Sequence, residues 1–130
     1  MEQKRSILIV TDGAKATQAL AEQFAAALDS FEVKIAGASG FEGTDLLPVD
    51  AFFLGCESAR PSSFKYLETL FQHINLADRS CGLFSPSSQE ALDYLSGLVQ
   101  DSEARVGKPF LGSEVTDPEE SRNWAKSILK

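Results

Sequence analysis

Three runs, SILIVT (6–11), VDAFFLGC (49–56) and SCGLFS (80–85), are almost continuously apolar, and between them apolar residues recur every three to four positions. A strand that is apolar at nearly every position has no solvated face and must be covered on both sides. Cover on both sides comes from helices, which require parallel strands joined by right-handed crossovers. That pattern excludes sandwiches and helical bundles and defines an α/β protein.

The remaining segments complete the alternation. Leu20, Phe24, Ala27 and Leu28 share one face of a helix after the first run, and VKIAGA (33–38) is a shorter strand. SGFEGTDLLP (39–48) has glycines, a proline and no period and is read as a loop or a distorted turn. PSSFKYLETLFQHI (61–74) starts a helix with Pro61 in its first turn and a stripe of Phe64, Leu67, Leu70, Phe71 and Ile74. Ser87 and Glu90 have capping-box spacing and open a helix that buries Leu92, Leu95, Leu98 and Val99. ARVGKPFLG (104–112) is a final, glycine-interrupted strand. The closing helix has Asp117 as N-cap, Pro118 at its first position and two glutamates placed to suit the helix dipole. Five strands and about four helices make one domain, 1–130, with three layers αβα. Ligands of such folds sit beyond the carboxyl ends of the strands, so the loops that matter are 11–17, 38–48, 56–62 and 85–89.

Charge narrows the partners. A net charge of −7 and a pI near 4.6 repel nucleic acid and anionic membranes. A protein partner with a basic surface, redox or regulatory, or a small ligand is the class that remains. MEQKR runs directly into the first strand without a separate apolar segment, and no apolar run approaches the ~18 residues of a membrane span. Two cysteines are too few for a disulfide framework, so a soluble cytoplasmic protein is expected.

The reactive side chains are few. Cys56 ends the third strand and Cys81 begins the fourth, which puts them at opposite ends of a parallel sheet, beyond disulfide reach. Cys81 reads as a small buried hydrophobe, and Cys56, at the ligand end, is the one with access to chemistry. His73 is the sole histidine and lies off its helix's apolar stripe, without partners for a metal site or a nucleophile–histidine–acid constellation. An enzyme is not expected, and no metal. In GCESARPSS, Glu57 and Arg60 form a polar turn, with Arg60 suited to an anionic ligand or partner. Ser85, Ser87 and Ser88 are explained chiefly by capping.

From ILIVTDGAKATQALAEQFAAAL to WAKSILK the chain resembles a short-chain flavodoxin. The most specific pieces are FEGTDLLPVDAFFLGC, similar to the family's approach to its third strand, and ARVGKPFLGSEVTDPEESRNWAKSI, similar to its last strand and helix, with Trp124 as the helix tryptophan. The resemblance implies strand order 2-1-3-4-5 and one noncovalent FMN that carries electrons between partners. It also implies a phosphate loop of the form hydroxyl-x-Thr-Gly-Asn-Thr, against which DGAKAT, Asp12 to Thr17, is set. Only Thr17 keeps the family's hydroxyl; Asp12 replaces Ser or Thr, Ala14 replaces Thr, and Lys15 replaces glycine. Such a loop wraps a phosphate with backbone N–H groups and hydroxyls at a helix N-terminus, and a carboxylate there competes for the same donors. At ~4 Å and an effective dielectric near 20, one like-charge pair costs about 4 kcal/mol, roughly a thousandfold in affinity, with Lys15 as a partial offset.

The flavin ring fares no better. Ala59 stands where the family stacks an aromatic after the third strand, and SPSSQEAL offers none after the fourth until Tyr94. Each such stack contributes about 1–3 kcal/mol. Asp12, Gly13, Lys15 and Thr17, with Phe41, Ser58 and Ser85 nearby, therefore outline a degenerate FMN site that is expected to hold little or no FMN. The alternatives are an FMN-dependent electron carrier with a divergent site and, since ILIVTD and DAFFLG also resemble a response-regulator receiver, a degenerate receiver. In that last reading Gly55 stands where the phosphoacceptor aspartate belongs.

Overall fold

The computed structural model describes residues 5–40, 42–115 and 117–129. One sheet is built from β1 (Ser6–Thr11), β2 (Glu32–Gly37), β3 (Ala51–Gly55), β4 (Ser80–Ser85), β5 (Arg105–Val106) and β6 (Phe110–Leu111). Its order is β2-β1-β3-β4-β5, with β6 also on β4, and every pairing is parallel. The helices are α1 (Lys15–Ala27), α2 (Lys65–Leu70), α3 (Gln89–Val99) and α4 (Pro118–Ile128). This is the flavodoxin-like three-layer arrangement.

Two-sided burial is visible residue by residue. Ile7 and Ile9 of β1 and Phe53 of β3 pack with Ala21, Phe24 and Leu28 at α1 and Ala125 and Ile128 of α4. Their alternating neighbours Leu8, Val10, Phe52 and Leu54 pack with Leu67 and Phe71 near α2 and Leu92 and Leu95 of α3. All these strand residues are at most 2% exposed, which is why the runs carry no polar alternation. On the α1/α4 face Trp124 lies 5.0 Å from the Phe24 ring, 5.5 Å from Phe53 and 5.1 Å from Phe110. The tryptophan of the closing helix is thus a core aromatic.

Four local expectations are corrected. The fifth strand is two short ones. Between the β4 partners Cys81 and Phe84 stand Gly82 and Leu83, whereas Gly107, Lys108 and Pro109 stand opposite them, one residue more. That bulge absorbs Pro109, which has no N–H for a ladder. It also turns the Lys108 carbonyl to accept from Trp124 Nε1 at 2.6 Å. The helix expected from Pro61 begins with a 3-10 turn at Ser62–Phe64, and Pro61 precedes it in extended conformation. The end of α2 is tightened by Gln72 N to Thr69 O and His73 N to Leu70 O, three-residue bonds that stop the α-helix early. The cap of α3 is Ser88, whose oxygen accepts from Ala91 N, and not Ser87. On α1 the inner stripe runs through Thr17, Ala21, Phe24 and Leu28, with Leu20 and Ala27 only partly buried. At α4 the expected cap holds: Asp117 accepts from Glu119 N and Pro118 is the first helical residue.

Candidate functional site

The loop from β1 to α1 is closed by its own side chains. Gly13 has φ +87°, a left-handed conformation that glycine adopts without strain. Its N–H donates to Thr11 Oγ1 at 3.3 Å, and Ala14 N–H donates to Asp12 Oδ1 at 3.0 Å. The second carboxylate oxygen reaches across the sheet edge, where Asp12 Oδ2 accepts from Glu57 N–H at 2.8 Å. Ser63 Oγ donates to the Asp12 carbonyl at 3.3 Å. Asp12 therefore binds the start of its own helix, the loop after β3 and the turn before α2.

At the N-terminus of α1 the capping residue is Ala14, with no side-chain cap and no acidic residue in the first turn. The first amides of a helix lack intrahelical acceptors and carry the positive end of its dipole. Lys15, the first helical residue, is exposed and adds a full positive charge. Thr17, two residues on, is fully buried, and its Oγ1 has no partner among the described residues. A buried hydroxyl without a partner costs about 1–3 kcal/mol.

The neighbouring loops contribute unevenly. Glu57, Ser58, Ala59 and Arg60 are all exposed, and Arg60 holds φ +52°, left-handed for a residue with a side chain. Ala59 offers no ring. Ser85, the last residue of β4, is fully buried and its oxygen accepts from Ser88 N at 3.2 Å, so it serves the entry to α3. Phe41 lies outside the described residues. Tyr94, the nearest aromatic after β4, is half-buried and donates to Glu68 Oε1 at 3.0 Å. Burial, that hydrogen bond and the Glu68 charge all push its phenol up. The ring also packs 6.4 Å from Phe64, which commits it to the α2–α3 side.

The structure thus gathers Asp12, Gly13, Lys15 and Thr17 at one helix start and ties Glu57, next to Ser58, to them. It does not bring Ser85 into that group as a presented hydroxyl. Sequence reasoning missed Thr11 and Ser63 as loop partners. Thr11 was legible as a hydroxyl directly before Asp-Gly, whereas Ser63 lies 51 positions from its acceptor and gives no local signal.

Both cysteines are buried and free. Cys81 is in register with Phe52, four residues before Cys56, so the two lie about 13 Å apart at ~3.3 Å per residue. Burial, with the Asp12 charge adding to it, pushes the Cys56 thiol up from 9.0 to about 12, and burial alone pushes Cys81 up. Neither is a ready thiolate. His73 is exposed, and no cluster of metal-ligating side chains occurs among the described residues. At Gly55 an added Cβ would come within 2.2 Å of the Phe84 ring, so the end of β3 leaves no room for a receiver's phosphoacceptor. No helix among the described residues is long and apolar enough to cross a membrane.

Sheet order, crossovers and a polar loop running into α1 define the class as flavodoxin-like. The chain is similar to a short-chain flavodoxin associated with a non-canonical PDU bacterial microcompartment, with a TM-score of 0.82 and 13% identity over 98% of this chain and 97% of that one. It is similar to oxidised flavodoxin 2 from Bacillus cereus, with a TM-score of 0.79 and 21% identity over 95% and 97%. Two-electron reduced Megasphaera elsdenii flavodoxin gives 0.72 and 20% over 93% and 98%. These likenesses establish the fold. No family model and no curated protein matches the chain.

Proposed function

We propose that this chain is a flavodoxin-like binding module with a degenerate FMN site, which holds a protein partner or a small ligand and binds little or no FMN. One observation carries the reading: the Asp12 carboxylate accepts from the amides of Ala14 and Glu57, donors that a phosphate would otherwise recruit. The residues present do not fit FMN well. A fixed negative charge stands at the phosphate position, Ala59 supplies no stacking face, and Tyr94 is engaged with Glu68. The net charge of −7 suits a partner with a basic surface, and no catalytic step is assigned.

A working FMN electron carrier is the second reading, favoured by the unpartnered Thr17 hydroxyl at the helix start and by the flavodoxin-like fold. Bound FMN would supply one-electron or two-electron transfer. The absorbance spectrum of the protein as purified separates the two: a colourless protein supports the first, and a stoichiometric flavin band supports the second.

A further inference from the structure

The Asp12 carboxylate uses both oxygens on backbone amides from two different loops. A local Asp turn would need only the bond to Ala14 N–H. The bond from Glu57 N–H spans 45 positions in sequence and is the shorter of the two, 2.8 Å against 3.0 Å. With Ser63 Oγ on the Asp12 carbonyl, the segment 57–63 is pinned at both ends to one residue. Between those pins Arg60 is held left-handed, a conformation that persists only where its surroundings enforce it. Next in the chain come the first amides of α1, which no side chain caps, and Thr17, whose buried hydroxyl has no partner among the described residues. Donors for an anion are therefore assembled, and the anion on hand is the chain's own.

We propose that Asp12 is an internal lock: its carboxylate takes the place of a ligand's phosphate, excludes phosphorylated ligands from the helix start, and fixes the 57–63 loop in the absence of any cofactor. This rests on the degenerate-site reading above. The lock makes two consequences inseparable, because one side chain causes both. Removing the charge admits an anion, and removing the second oxygen frees Glu57. A carboxylate that merely tolerated its position would give neither.

The probe is inorganic phosphate, followed on the backbone amides of Ala14 to Gln18 by NMR, together with hydrogen exchange at Glu57. In the wild-type protein the Glu57 amide is expected to be protected although the residue is exposed, and phosphate to produce no saturable shifts. Asp12→Asn keeps the shape and one oxygen but loses the charge. It is expected to bind phosphate at least about tenfold more tightly than wild type; its single oxygen can accept from either amide, so the exchange readout belongs to Asp12→Ser, which should speed Glu57 exchange about tenfold or more. Asp12→Ser should also bind phosphate more tightly. Equal phosphate binding in wild type and folded variants overturns the lock, as does unchanged Glu57 exchange in Asp12→Ser. If a variant fails to fold by circular dichroism, the wild-type measurement still decides, since an unprotected Glu57 amide refutes the proposal. Tight FMN binding by wild type would sink the degenerate-site reading and the exclusion of phosphorylated ligands together, whereas weak FMN binding with an unprotected Glu57 amide, or with equal phosphate binding in wild type and variants, overturns the lock alone.

Discussion

If the site has failed by substitution while the scaffold is intact, restoring its chemistry should restore FMN. The test variant combines Asp12→Ser, Ala14→Thr, Lys15→Gly and Ala59→Trp. Removing the carboxylate relieves about 4 kcal/mol of repulsion at ~4 Å and an effective dielectric near 20. Trp at 59 adds a stacking face, about 1–3 kcal/mol. Losing the Lys15 cation trims the gain, and about two to three decades of affinity remain. The stability cost follows from the hydrogen bonds. Ser at 12 can still accept from Ala14 N–H but cannot also reach Glu57 N–H, a loss of about 1.5–3 kcal/mol for a charged acceptor. Gly at the first position of α1 costs up to ~1 kcal/mol, and Thr at the uncapped Ala14 position returns about 1 kcal/mol as an N-cap. A net loss of at most about 1.5–3 kcal/mol leaves a domain of ordinary stability folded. Flavin fluorescence quenching reads the affinity and circular dichroism reads the fold. A folded variant that gains less than about tenfold would refute the alignment of these loops with a flavin site.

Other outcomes follow from the core and the thiols. Trp124→Phe should lose about 1–2 kcal/mol in urea unfolding, because the indole N–H bond to Lys108 O goes while most of the ring stays; Trp124→Ala should lose about 3–5 kcal/mol. A chromogenic thiol reagent at neutral pH should find neither cysteine in the native protein and two after denaturation without reductant. Alkaline pH should destabilise the fold: the Cys56 thiol ionises near 9.0 when unfolded but near 12 when folded, so stability is full below pH 9 and falls between pH 9 and 12. Thermal melts across that window check the sign; Cys81 and Tyr94 are shifted in the same direction, so Cys56→Ala should lessen the decline only in part.

The sheet was legible because its cause is local. SILIVT and SCGLFS need cover on two faces, and β1 and β4 occupy those residues. Asp117 and Pro118 mark the start of α4 because capping acts within one turn. Pro109 was a local sign that the last strand splits; the Trp124 bond to Lys108 and the approach of Ile128 to Gly107 come from α4 and leave no mark in that segment. Ser87 and Ser88 are chemically alike, and Ser85 distinguishes them by accepting from the Ser88 amide. At the site, sequence singled out Asp12 as a carboxylate where the flavodoxin resemblance implies a hydroxyl. It could not show that the same carboxylate bonds Glu57, because only the β1–β3 pairing brings those loops together.

We read this flavodoxin-like scaffold as one that binds little or no FMN. The most direct test is a titration of the purified wild-type protein with FMN at neutral pH and moderate salt, read by fluorescence quenching. A dissociation constant no tighter than about micromolar is expected, from one like charge that Lys15 offsets only in part and two absent stacks. Nanomolar binding would contradict this reading.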